Sequence, residues 1–293
     1  MNKDSQRLMG HQRLEWYRSV WFRFFSIGCL LLCPDTIKAN ADDSTTSVAG
    51  WTWFVGVGVD HYLDPDILDL NYCASDVLAV EQSVKQQAHR ASSKFVTEKL
   101  TDSLATVQRV EASLRNLERF VAPDDTAVIM FSGHAMQGRR GLYLLTSETK
   151  INTLQGTSVN WQTLAASIAK IKAHRIVVLL DACHSGAFSN SSLPIQEEFR
   201  KQLQNKEGIL VLASSSGLEV SEEVESEKHG AFTTAVTAAI EGAADHNGDR
   251  QITVAELSEF VKKRVAELTG NRQHPATVIQ QLSDDDVLFQ VAD

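Results

Sequence analysis

At 293 residues, 43% hydrophobic and 22% charged, the chain has ordinary globular composition, long enough for one large α/β domain or two small ones. Its net charge of −9 argues against a nucleic-acid partner, which needs a basic surface. Four cysteines are too few for a disulfide framework.

The first 41 residues differ from the rest. Lys3, Arg7, Arg13, Arg18, Arg23 and Lys38 stand against Asp4, Glu15 and Asp35, a net of +3 that leaves −12 for the remainder. A charged start, the apolar stretch FFSIGCLLLC and Ala39-Asn40-Ala41 read as a signal peptide over 1–41, cut after Ala41. A secreted or periplasmic location follows, without stable membrane insertion after cleavage. The apolar run from Val20 to Cys33 is broken by Arg23 and too short for a comfortable span; a disordered or membrane-anchoring leader is the alternative. Cleavage would leave only Cys73 and Cys183, two thiols that either pair or are kept for chemistry. Residues 42–50 read as a polar linker, and 51–293 as the main domain.

Within that domain apolar strands alternate with amphipathic helices. Strands are predicted at 51–59, 94–100, 126–132, 141–146, 175–181 and 208–214, and an edge strand at 285–291. Helices are predicted at 75–88 with Ser75 as its cap, at 101–121, 161–171, 231–243 and 254–268. The alternation indicates βαβ units and a mainly parallel sheet covered on both faces, an α/β fold. The polar stretches 187–207 and 217–230 read as loops, the first with a helical part.

Sites in such sheets form at the carboxyl ends of strands. Two strands end in unusual residues: AVIMF runs into Ser132-Gly133-His134, and IVVLL into Asp181-Ala182-Cys183. Alone, a cysteine at a strand end such as Cys183 reads first as a small apolar core residue, with nucleophile and metal ligand as the alternatives. A thiol and an imidazole at one sheet edge suit acyl transfer, with the imidazole taking the thiol proton and returning it to the leaving amine. Backbone N–H groups beside Gly133 and Gly186 offer an oxyanion hole. His184 competes as the base, but its adjacency to Cys183 tends to turn its ring away, so His134 is preferred. Zinc held by Cys183, His184 and His134 lacks a fourth ligand at recognisable spacing.

FSGHA followed by DACHSG, with 49 residues from His134 to Cys183, resembles the caspase-like cysteine peptidases, in particular metacaspases and their bacterial relatives. The spacing matches the roughly 50 residues expected. The resemblance spans about residues 50–290 and takes in LNYCASDV (70–77), GAFTTAV (230–236) and RQHPA (272–276). Ala135 departs from it, where relatives usually carry a second glycine. The resemblance implies a caspase-like three-layer sandwich, a His134–Cys183 dyad, and an oxyanion hole from N–H groups near Gly133 and Cys183. It also implies a basic-specific pocket at Cys73, Asp76, Ser132 and Asp181. Asp181 stands where caspases proper carry glutamine. Two acids in one pocket are uncomfortable without a cation, and a guanidinium can satisfy both. The expected substrates are peptides or proteins with basic residues, cleaved after arginine, with lysine second.

A second motif lies at 245–256, DHNGDRQITVAE. Asp245, Asn247, Asp249, Gln251, Thr253 and Glu256 occupy positions 1, 3, 5, 7, 9 and 12 of an EF-hand-like Ca²⁺ loop, and Ile252 its apolar position 8. Arg250 replaces the usual glycine at position 6, which should weaken binding. Self-cleavage is expected at Arg200, Lys201, Lys206 or Lys228. A non-catalytic calcium-binding interaction module, and a form locked by a Cys73–Cys183 disulfide, are the competing readings.

Overall fold

The computed structural model describes residues 50–184, 201, 203, 206–215, 219 and 221–291; of Cys183 and His184 it describes the backbone alone. The leader over 1–41, most of the linker, and Gly186 and Arg200 lie outside the described residues.

The centre is a mostly parallel sheet. β1 (Thr52–Gly58) pairs in parallel with β2 (Phe95–Thr101) on one side and β3 (Thr126–Gly138) on the other. β3 pairs in parallel with β6 (Arg175–His184), and β6 with β7 (Ile209–Ala213). β11 (Ala276–Gln280) closes that edge antiparallel to β7. β4 (Gly141–Leu145) and β5 (Ser158–Asn160) extend the far end of β3 antiparallel. All seven residues of β1 are buried, as a strand covered on both faces requires.

Five helices among the described residues cover the sheet: α1 (Cys73–Arg90), α2 (Val107–Phe120), α3 (Trp161–Ile168), α4 (Ala231–Ala238) and α5 (Val254–Leu268). Val77, Val80 and Val84 of α1, Phe232 and Val236 of α4, and Leu257, Val261 and Val265 of α5 pack in one cluster. Phe54, Val128, Met130, Val177 and Leu179 of the strands face them. Their i, i+2 spacing along β1, β3 and β6 puts the intervening residues on the other face. There the buried Val110, Leu114 and Leu117 of α2 and Leu164 and Ile168 of α3 supply the third layer. Each such side chain contributes about 1.5–3 kcal/mol of burial, so the sandwich is set by the periodicity of its apolar positions.

Several predicted boundaries are corrected. The helix expected over 101–121 is a short 3₁₀ turn at Asp102–Leu104, then α2. Asp102 has φ of 46° and Thr106 is extended, its hydroxyl accepting from Arg109 N, so the run cannot be continuous. The helix expected to begin under Ser75 begins at Cys73, where the Asp60 carboxylate accepts from Cys73 N (2.6 Å) and Ala74 N (3.1 Å). The helix expected over 231–243 leaves α geometry in a π turn at Ala239–Ala243. The strand expected at 285–291 is β12 (Val287–Gln290), and it is not an edge of the main sheet. It pairs with β10 (Gln251–Thr253), leaving β11 as the edge. β3 runs six residues past the expected Ser132, because 135–138 form a hairpin with β4.

Candidate active site

The parallel register between β3 and β6 places Ser132 opposite Asp181, Gly133 opposite Ala182, His134 opposite Cys183 and Ala135 opposite His184. Paired strands lie about 4.8 Å apart, so the backbones carrying the expected base and nucleophile are immediate neighbours. Both residues sit in the carboxyl-terminal extensions of the two strands, beyond the last turn of core.

His134 is buried and held from three sides. Its Nε2 lies 2.9 Å from the Leu68 carbonyl, its backbone N–H donates to the Tyr62 hydroxyl at 2.9 Å, and its ring packs on Tyr62 at 5.3 Å between centroids. A carbonyl only accepts, so Nε2 carries the proton and Nδ1 presents its lone pair. Nδ1 is buried and has no hydrogen-bond partner among the described residues. Burial holds the imidazole below its ordinary pKa, against a smaller opposite pull from Leu68, so it is neutral and able to accept a proton. Gly133 matters to this arrangement: a Cβ there would lie 3.1 Å from the Tyr62 hydroxyl. Leu68 and Tyr62 escape sequence reasoning, since a backbone carbonyl has no residue signature and Tyr62 lies 72 positions from His134.

The four expected pocket residues come together. Asp76 on α1 uses Oδ2 to accept from Ser132 Oγ (3.4 Å) and Oδ1 to accept from Gly230 N (3.2 Å) and meet His229 Nδ1 (2.8 Å). Asp181 accepts from Ser221 Oγ at 2.6 Å and Thr233 Oγ1 at 3.1 Å. A Cβ built on Gly230 would lie 2.8 Å from Asp181 Oδ2 and 3.3 Å from Asp76 Oδ2, so the two carboxylates converge on one point that only glycine leaves open. Burial first, and the facing Asp76 second, push Asp181 up to about 7; burial also raises Asp76, with His229 opposing. An empty pocket therefore holds a proton near neutrality, and a cation would replace it.

Cys73 is a free, buried thiol. Burial raises its pKa far above the ordinary range, so it is a protonated wall beside Ser132 and not a second nucleophile. The competing reading of a Cys73–Cys183 disulfide is not what the structure has at Cys73, which is a free thiol.

His229, Gly230, Ser221, Thr233 and Gln273 join the site without having been anticipated. Gln273, fully buried, donates to the Ser214 carbonyl (2.8 Å) and Ser221 Oγ (3.2 Å) and accepts from Glu222 N (2.8 Å). Arg272 takes Glu222 with two contacts at 2.6 and 2.7 Å, and His274 Nδ1 meets Glu219 at 2.9 Å. The RQHPA stretch thus clamps Glu219 and Glu222, on either side of the Ser221 hydroxyl that meets Asp181. The only sequence signal was the stretch itself.

At 245–256 each acidic side chain turns inward. Asp245 accepts from Gly248 N (2.8 Å) and Arg250 N (3.0 Å), Asn247 from Asp249 N (2.7 Å), and Asp249 from Gln251 N (2.8 Å). Arg250 has φ of 66°, the left-handed conformation glycine would take there at lower cost. Ile252 is buried against Phe289 in the β10–β12 ribbon, and Thr253 with Glu256 forms a capping box at the start of α5. Among the described residues no group of three or more His, Cys, Asp or Glu is placed to hold a metal.

A family model described as the caspase domain matches residues 55–286, a span that holds every dyad and pocket residue named above. No curated protein matches the chain. Among solved structures, the crystal structure of protein GSU0716 from Geobacter sulfurreducens superimposes with a TM-score of 0.55 at 16% identity, covering 80% of this chain and 95% of that one. At that identity the likeness speaks for the fold alone. The mostly parallel sheet between two helix layers and the family match agree, and the chain belongs to the caspase-domain family of cysteine peptidases.

Proposed function

We propose that the chain is a secreted or periplasmic cysteine endopeptidase that cleaves after arginine, with lysine second. The observation that carries this is the β3–β6 register, which sets His134 beside Cys183 two residues beyond Ser132 and Asp181. The Cys183 thiol gives its proton to His134 Nδ1 as sulfur bonds the peptide carbonyl carbon. The oxyanion accepts hydrogen bonds from backbone N–H groups at Gly133 and Cys183. The C–N bond then breaks and the proton passes from Nδ1 to the leaving amine. Water, losing its proton to the same nitrogen, cleaves the thioester and the thiol is restored. The substrate's cation meets Asp76 and Asp181, with Cys73 and Ser132 as the walls between them.

The test is hydrolysis of fluorogenic peptides ending in Arg, Lys or Asp, with Cys183→Ala as the control. The expected order is Arg, then Lys, with Asp uncleaved and the variant inactive. Preference for Asp overturns the pocket, and equal rates in the variant overturn the nucleophile.

Two further parts belong to the same proposal. Ca²⁺ binds at Asp245, Asn247, Asp249, Gln251 and Glu256 and ties α5 to the site; the left-handed Arg250 and the buried Ile252 support a loop shaped for it. Self-processing occurs after exposed basic residues, with Lys228, immediately before His229, the exposed candidate nearest the pocket. Intact masses of wild type and Cys183→Ala, and N-terminal sequencing for a start at Asp42, test processing and secretion.

A further inference from the structure

The residue that occupies the pocket's acid is part of the chain itself. His229 lies on β9 (His229–Gly230), which pairs with β8 (Glu223–Val224) in a small hairpin. Its Nδ1 sits 2.8 Å from Asp76 Oδ1. The other groups bonded to Asp76, Ser132 Oγ and Gly230 N, are buried; the His229 side chain is 30% exposed while that of Asp76 is 4% exposed. His229 is therefore the group standing between this carboxylate and solvent. Gly230, next in the chain, is the residue whose missing Cβ leaves room for both carboxylates.

Resting on the pocket reading given above, we propose that His229 is the pocket's own cation, and that a basic substrate side chain enters by displacing it from Asp76. His229 is then a specificity-determining residue. An imidazolium offers one N–H to one carboxylate oxygen. A guanidinium offers a fork that reaches both acids, whereas an ammonium is a single point charge. Arginine wins this exchange more readily than lysine, and neutral side chains do not win it at all.

The charges around His229 fit the role. From α1 it faces Asp76; behind that lies Asp181 on β6. From its own hairpin come the exposed Glu227 and Lys228, and from β8 the exposed Glu223, already bonded to Asn71. α4 carries no charged or titratable side chain. The hydrogen bond to Asp76 raises His229 above its ordinary pKa, with Glu227 adding to it. The histidine is thus retained as a cation to higher pH, and substrate affinity rises as that proton is lost.

The experiment measures binding instead of turnover, because His134 titrates in the catalytic step. Full-length Cys183→Ala protein is titrated calorimetrically with an acetylated peptide ending in arginine amide, at pH 6 and pH 8. The His229→Gln version is expected to bind about five- to tenfold tighter than its parent at pH 6, the exchange of one partly exposed ion pair, and within about twofold of it at pH 8. His229→Lys, a permanent cation, is expected to bind about tenfold more weakly than the parent at pH 8. Equal or weaker binding by the Gln version at pH 6, or parental binding by the Lys version at pH 8, overturns the role of His229 while leaving the pocket intact. No binding by the parent and the Gln version at either pH overturns the pocket reading, and this inference with it.

Discussion

Two acidic clusters in this molecule are built in opposite ways. Asp76 and Asp181 are buried, converge on one point, and are met by hydroxyl and N–H groups of five residues, Ser132, Ser221, His229, Gly230 and Thr233. Asp245, Asn247 and Asp249 are exposed or half-exposed, and take their hydrogen bonds from backbone N–H groups within the same turn. The first cluster is costly without a proton or a cation, because charge is removed from water and faces charge of the same sign. The second costs little in either state. A buried acidic pair is therefore a demand for a positive partner, while an exposed acidic loop is only an opportunity for one.

The strongest way to break this contrast is to neutralise the buried pair. Asp181→Asn should lower kcat/KM for arginine peptides by about a hundredfold or more, the usual cost of unpairing one partner of a buried charge contact. Asp245→Ala should leave the same rate, measured without calcium, within about twofold. Equal losses from both substitutions would erase the distinction.

Next in size is the space at Gly230. Gly230→Ala inserts a methyl group 2.8 Å from one carboxylate and 3.3 Å from the other, and should destabilise the fold by about 1–3 kcal/mol, read as a lowered denaturation midpoint. An unchanged midpoint would mean that the acids do not converge there.

Stability against pH probes the buried pair directly. Asp181 binds its proton more tightly in the native state, where burial and Asp76 hold it up to about 7, than in the unfolded chain. Its contribution is complete below the unfolded value and is lost as pH rises from about 4 through about 7, on the order of a few kcal/mol. Asp181→Asn should flatten that decline in thermal scans.

The smallest effect is at Arg250. Arg250→Gly relieves a left-handed residue and should raise the midpoint by about 0.5–1 kcal/mol. Calcium should raise the melting temperature of wild type, more so in Arg250→Gly, and not in Asp245→Ala. No calcium response in any of the three would remove the metal from the account.

The layer architecture was legible because it is written in local periodicity: Val77, Val80 and Val84 on α1, and the apolar runs at 53–58, 127–131 and 176–180, all bury as their spacing requires. The His134 and Cys183 positions and the two pocket acids were legible because they interrupt those strands or follow a marked resemblance. What was not legible is tertiary. The Leu68 carbonyl on His134, the Asp60 cap on α1 and the Asp76–His229 contact join residues 66, 13 and 153 positions apart. None of them alters hydropathy or period. β11 was missed because its apolar residues are few and follow Pro275, whereas 287–290 reads as a strand and is one, in a separate ribbon.

The central claim is that Cys183, paired with His134 and served by an acidic pocket, is the nucleophile. Its most direct test is intact-mass and peptide-map analysis after exposure to a peptidyl fluoromethyl ketone ending in arginine. The expected result is one adduct, on Cys183, absent from Cys183→Ala, greatly slowed in His134→Ala and in Asp181→Asn, and not formed by the aspartate analogue. Labelling of Cys73 in place of Cys183, or equal labelling by the arginine and aspartate reagents, would contradict it.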